Sequence, residues 1–175
     1  MRKLLDWLYS GSGVLAGIFL ILIAALSLAQ ICGRLFGFDA YSFDDFAGFC
    51  MAASSFLGLA HTYRRNEQIR VAILVDRLSG GKRRALETLC LTASTFLIGY
   101  FAWYAFDMVW TSYQFNDMSQ GLVAVPLWLP QSGMALGLAI MAIALLDDLI
   151  VLRAGGTPSY LVAERNKKIA LSENL

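Results

Sequence analysis

The chain has 175 residues, of which 58% are hydrophobic and 15% charged. That balance leaves too little polar surface for a soluble globule of this size and excludes one. A net charge of +1 gives no reason to expect a nucleic-acid partner, but it hides a lopsided distribution of the individual charges.

Four apolar stretches, about 14–31, 43–61, 85–110 and 126–152, are each long enough to cross a ~30 Å hydrocarbon core at ~1.5 Å per residue. They predict an all-α membrane protein of four transmembrane helices forming a single membrane domain over 1–175. Before the first span, Met1 to Ser10 reads as a short amphipathic lead at the inner interface, with Leu4, Leu5, Trp7 and Leu8 set against Arg2, Lys3 and Asp6. Arg2 and Lys3 ahead of an apolar run ending in Ser27-Leu28-Ala29 resemble a cleavable signal peptide. Asp6 and Trp7 interrupt that pattern, however, and the run is long for a signal core, so a retained helix is expected. Gly13 and Gly17 in the first span, and Gly133 and Gly137 in the fourth, have the G-x-x-x-G spacing that lets helix backbones approach closely.

The second span opens on Asp44-Asp45, which suit a helix N-terminus because the dipole there favours anions. Gly48, Ala52 and Ser55 in this span, and Thr92, Ser94, Thr95 and Gly99 in the third, supply small residues and hydroxyls for helix packing. His61 closes the second span, where hydrogen bonding at the headgroup level is its expected role. Between spans two and three, residues 66–78 place Arg70 and Arg77 on one helical face and Val71, Leu74, Val75 and Leu78 on another. This pattern predicts an amphipathic helix lying in the membrane plane, stopped by Ser79-Gly80-Gly81. Beyond the third span comes a polar loop containing Ser119 and Gly121, then Pro126 and Trp128 at the start of the fourth. Trp103, Trp110 and Trp128 suit an outer aromatic belt. A polar tail occupies 153–175.

The charge distribution orients the chain. Arg2, Lys3, Arg64, Arg65, Arg70, Arg77, Lys82, Arg83, Arg84, Arg153, Arg165, Lys167 and Lys168 all fall on one side of a four-span topology, leaving only Arg34 on the other. The positive-inside rule then puts both termini of this multi-pass chain in the cytoplasm. Arg64, Arg65, Arg70, Arg77, Lys82, Arg83 and Arg84 are expected to anchor it to anionic or zwitterionic lipid, at about 1 kcal/mol each near an anionic surface.

No Asp, Glu, His, Lys or Arg lies at or near the span midpoints, taken at Leu22, Ala52, Leu97 and Ala139. A self-sufficient ion-coupled carrier needs a charge or a broken helix at mid-depth, so this chain does not read as one. A four-helix drug/proton antiporter would need a buried glutamate in its first helix. A haem anchor would want two imidazoles, and His61 is the sole histidine. Cys32, Cys50 and Cys90 form no C-x-x-C pair, which removes a disulfide oxidase. Small apolar filler in a helix bundle is their expected role, with a disulfide between Cys32 and Cys50 conceivable where the outer compartment is oxidising. Asp147-Asp148 is a poor metal pair, because adjacent helical residues point about 100° apart and Arg153 is near enough to neutralise one of them. No catalytic, metal-binding or substrate-binding residue is expected, and no enzymatic activity. Asp107, a turn inside the outer boundary between Trp103 and Trp110, would suit a partner on another subunit.

Phe56 through Val71, then Leu74-Val75-Asp76-Arg77-Leu78, resembles the central segment of the small membrane subunit (DctQ-like) of the tripartite ATP-independent periplasmic (TRAP) transporters. In that family a glycine-containing helix end precedes a basic loop and an interfacial helix. Asp44-Asp45 matches the acidic start of its second helix, and Ser119-Gln120-Gly121 with Pro126-Leu127-Trp128 looks like its "S-x-G … P-x-W" approach to the fourth. Gln68 departs from the pattern, standing where many relatives carry histidine. The resemblance implies an accessory scaffold for a large permease subunit that holds the sodium and substrate sites, and a periplasmic binding protein that delivers a carboxylate-bearing solute such as a C4-dicarboxylate or sialic acid. No cofactor is implied in this chain. Competing readings are the small subunit of a tripartite tricarboxylate transporter and a membrane assembly factor without a transport role.

Overall fold

The computed structural model describes residues 2–37, 42–65, 81–121, 123–154 and 169. They form four helices: α1 (Arg2–Phe36), α2 (Ser42–Arg64), α3 (Gly81–Gln114) and α4 (Trp128–Arg153). Three of these are long and apolar enough to cross a membrane over Trp7–Phe36, Ala85–Gln114 and Trp128–Arg153. The in-plane helix expected at 66–78, with Arg70 and Arg77, lies outside the described residues, as does most of the tail.

The helices stand in a row, α1 beside α2, α2 beside α4 and α4 beside α3, with α1 and α4 touching only marginally. Tyr9 and Ala16 of α1 meet His61 and Ser54 of α2, so these two run antiparallel. Gly133 meets Ala53, Gly137 meets Phe56, and Asp147 meets Arg64, so α2 and α4 run parallel. The row therefore has one basic end, carrying Arg64, Arg65 and Arg153, and an opposite end where Asp44, Asp45 and Asp117 lie.

Each terminal helix of the row offers one narrow seam. On α1 the buried and half-buried positions Tyr9, Ser12, Ala16, Phe19, Ile23, Leu26, Gln30 and Gly33 recur at alternating steps of three and four. That is the 3.5-residue repeat of helices packed nearly in line. On α3 the same repeat runs through Leu91, Ile98, Ala102, Ala105, Val109 and Ser112. Ala16 and Gly33 on α1 and Ala102 and Ala105 on α3 let the backbones approach, since lipid tails are as apolar as leucine and close van der Waals contact is left to hold membrane helices together. At the basic end a cluster including Tyr9, Ala60, Tyr63, Leu91, Met141, Ala144 and Leu145 draws all four helices into one core.

Two helix ends follow from local chemistry. Gly37, at φ 77°, terminates α1 in the left-handed conformation that glycine adopts at no steric cost. After α3, Asn116 takes the same role at φ 49°. Its N–H donates to the Tyr113 carbonyl at 3.4 Å and that of Asp117 to the Ser112 carbonyl at 3.1 Å, the paired bonds of a Schellman cap.

The structure corrects several expectations. Residues 2–10 do not form a separate surface lead but continue α1 as one 35-residue helix. Proline is absent there, and Tyr9 and Ser12 are drawn into the core at 2% exposure each. Gly17 and Gly48 face open space and Ser55 is exposed, so the packing face of α2 is the one carrying Ala53, Leu57 and Ala60. Thr92 and Thr95 bond back to the carbonyls of Thr88 and Leu91 on their own helix, satisfying themselves locally instead of bridging helices. The three cysteines are all free, as apolar filler would be. The fourth helix begins at Trp128, two residues after Pro126.

Candidate functional site

Sequence-singled residues gather at both ends of the row. At the basic end α2 supplies His61 and Arg64, α1 supplies Tyr9 and Ser12, and α4 supplies Asp147 and Asp148. The Arg64 guanidinium donates to the Asp147 carboxylate at 3.1 Å and lies 4.8 Å from the centroid of the Tyr9 ring, within cation–π range. This corrects the pairing expected for the acidic doublet, whose member Asp147 is met by Arg64 and not by Arg153. Arg153 is exposed at the end of α4. Asp148, about 100° round the helix from Asp147, is 1% exposed in the core.

The Tyr9 carbonyl receives two donors, Ser12 Oγ at 2.9 Å and His61 Nδ1 at 3.2 Å. A carbonyl only accepts, so the His61 proton sits on Nδ1. The imidazole packs directly over Gly13: a Cβ built there would lie 2.6 Å from ring atoms. Gly13 thus serves as the floor under His61, which explains one member of the first glycine pair. Gly13→Ala is expected to destabilise the chain by about 1–3 kcal/mol. His61→Ala in the same background should recover part of that loss, giving a non-additive double-mutant cycle when unfolding is followed by thermal denaturation in detergent.

Arg65 follows as an exposed residue whose N–H reaches the His61 carbonyl at 3.2 Å. Lys82, Arg83 and Arg84 fall in the first turn of α3.

At the opposite end, Asp44 and Asp45 occupy the first turn of α2, as the helix dipole favours. The loop after α3 is cross-tied. Ser119 exchanges contacts with Val125 and Val123: its N–H donates to the Val125 carbonyl at 2.8 Å, its hydroxyl to the Val123 carbonyl at 3.2 Å, and the Val125 N–H donates back to Ser119 Oγ at 3.1 Å. Met118 and Pro126 form a single antiparallel bridge. Gly121 comes against the Asp45 carboxylate so closely that no Cβ would fit without displacing it. The acidic start of α2 and the S-x-G element, 74 residues apart in sequence, thereby form one joint. Trp128 meets Tyr113 edge-on at 5.9 Å, tying the start of α4 to the end of α3.

Between the two ends, Gly133 and Gly137 hold α4 against α2. A Cβ at Gly137 would lie 2.6 Å from the Phe56 carbonyl oxygen and 2.7 Å from the Leu57 nitrogen, and one at Gly133 would lie 3.0 Å from the Ala53 Cβ. Asp107, in contrast, is exposed on α3 and joins neither end.

Chemically this arrangement can hold the helices together at both ends. Among the described residues no group of three or more His, Cys, Asp or Glu side chains is placed to hold a metal ion, and the His61 imidazole faces a backbone carbonyl and not a nucleophile. Tyr9, Ser12 and Tyr63 were not singled out from sequence. The three-four repeat through Tyr9, Ser12 and Ala16 is the signal that would have found the first two.

Comparison with curated proteins returns no match. A family model described as "Tripartite ATP-independent periplasmic transporters, DctQ component" matches residues 23–155, an interval running from within α1 to just past α4 that includes the Asp45–Gly121 joint and the Arg64–Asp147 pair but not Tyr9, Ser12 or Gly13. The chain therefore belongs to the DctQ family, the small membrane components of tripartite ATP-independent periplasmic transporters.

Proposed function

We propose that this chain is the accessory scaffold of a sodium-coupled, binding-protein-dependent importer of a carboxylate-bearing solute. The family works with a large permease and a periplasmic binding protein, and the division of labour assigned here leaves sodium and substrate to the large subunit. One observation carries the reading. The ionisable residues that the described helices pack together lie at the two ends of the row, where Arg64 and Asp147 clamp α2 to α4 and Asp45 abuts Gly121, whereas the middle is a seam of alanine, glycine and leucine. Such a body resists deformation and offers no mid-depth ion site, which suits the static part against which a moving domain works.

In this reading α2 is a fourth span although it is not among the three helices whose own length and apolar stretch suffice to cross. It is flanked by α1 on one side and α4 on the other, and its 23 residues extend about 34 Å. A helix so placed shares the depth of its neighbours. The basic end faces the cytoplasm, with both termini there, and 66–78 lies along the inner leaflet.

Co-expression with the large permease and the binding protein tests the assignment. The chain should co-purify with the permease in mild detergent, and omitting it should abolish binding-protein-dependent uptake of the solute. A permease that imports at full rate without it would remove the scaffold role.

A further inference from the structure

The two outer helices of the row expose faces of different chemistry. On α1 the exposed residues from Val14 to Leu22 are Val, Leu, Ile and Gly, a surface that lipid tails satisfy completely. The exposed face of α3 instead carries Phe96, Tyr100, Trp103, Asp107 and Trp110 at alternating steps of four and three. It lies opposite the seam through Ala102 and Ala105 that packs on α4. Asp107 stands seven residues, about 10 Å, before the end of α3 at Gln114, on the membrane side of the aromatic group Trp110, Tyr113 and Trp128. With the span ending near Trp110, it lies about a turn inside the outer boundary, where a carboxylate facing lipid is costly without a cation partner. Nearer mid-span, the rings of Tyr100 and Tyr104 lie 4.6 Å apart.

We propose that this α3 stripe is the docking face for a transmembrane helix of the large permease subunit, and that the permease helix presents an Arg or Lys side chain to Asp107. The inference rests on the accessory-subunit reading and adds which face is used and the charge it meets. Complementarity selects this occupant. Lipid offers no cation at that depth, and a second copy packed two-fold through the same stripe would bring two Asp107 carboxylates together, a repulsive pairing in low dielectric. A basic side chain satisfies the carboxylate, while Trp103 and Trp110 flank the pair and exclude lipid.

The test uses the full transporter with a photo-crosslinking phenylalanine analogue at Trp103 on α3 or at Ile21 on α1, and the variants Asp107→Ala and Asp107→Asn. Crosslinking to the permease from position 103 and not from 21 is expected. Asp107→Ala should lower the co-purified permease by roughly tenfold or more, as expected for an unpaired buried cation, and Asp107→Asn, which keeps an acceptor, should lose less. Crosslinking only from position 21, self-crosslinking from position 103, or unchanged co-purification of Asp107→Ala would each overturn the α3 face while leaving the accessory role intact. Failure of the unsubstituted chain to co-purify with the permease would overturn both.

Discussion

Gly137→Ala is expected to separate α2 from α4 and to cost about 3 kcal/mol, the upper end of what overpacking a membrane or soluble core takes. The reason is geometric. The added methyl would land on the Phe56 carbonyl and the Leu57 nitrogen, which are backbone atoms of a continuous helix and cannot rotate away as a side-chain tip does. Relief requires the two axes to move apart, and the displacement is shared with Gly133 one turn earlier, where the next contact, to Ala53, is already tight. Gly137→Leu should be worse and is expected to abolish assembly with the permease. Gly17→Ala, at a glycine with open space around it, is the matched control and should be neutral or slightly stabilising, since alanine is the better helix former. Unfolding in a graded series of denaturing detergent, followed by the fluorescence of the four tryptophans, gives the comparison directly. Equal stability of the Gly137 and Gly17 variants would show that α2 and α4 do not approach as described.

That contrast between two glycines of the same motif shows what could be read from sequence. Hydropathy located the long helices to within a turn or two except at the start of α1. There Asp6 and Trp7 look like an interruption, yet the helix runs through them and buries Tyr9 and Ser12. Hydropathy did not choose the packing face, because every side of a membrane helix is apolar and the usual amphipathic signal is missing. G-x-x-x-G was informative on α4, where both glycines meet α2, and half informative on α1, where only Gly13 does. On α2 the true seam, Ala53, Leu57 and Ala60, is one residue out of step with the small residues that attracted notice. The joint between Asp45 and Gly121 was visible as two separate motifs but not as a contact, since nothing local links positions so far apart.

Arg64→Ala is expected to destabilise the chain by about 2–3 kcal/mol, below the full cost of breaking a deeply buried pair because the two side chains keep 19% and 24% exposure. Arg64 does two things at once. It neutralises Asp147 on α4 and lies over the Tyr9 ring on α1, so its loss releases three helices at the basic end, where the four-helix core cluster is centred. Two comparisons separate these contributions. Asp147→Asn removes the charge but keeps an acceptor for the guanidinium and should cost less than Arg64→Ala. Arg64→Lys preserves the charge and sacrifices the planar fork and the stacking, and should fall between them. The sequence pointed to Arg153 as the neighbour of the acidic doublet because it is close along the chain. The actual partner is 83 residues away because α2 and α4 run parallel and side by side, so their C-terminal ends coincide. Exchanging the charges, Arg64→Asp with Asp147→Arg, is therefore expected to recover most of the stability lost by either single reversal, while Arg153→Ala should leave it unchanged within about 0.5 kcal/mol. Denaturation midpoints for the two single reversals, the exchange and Arg153→Ala decide the matter. An exchange no more stable than the single reversals would mean that the two groups do not meet.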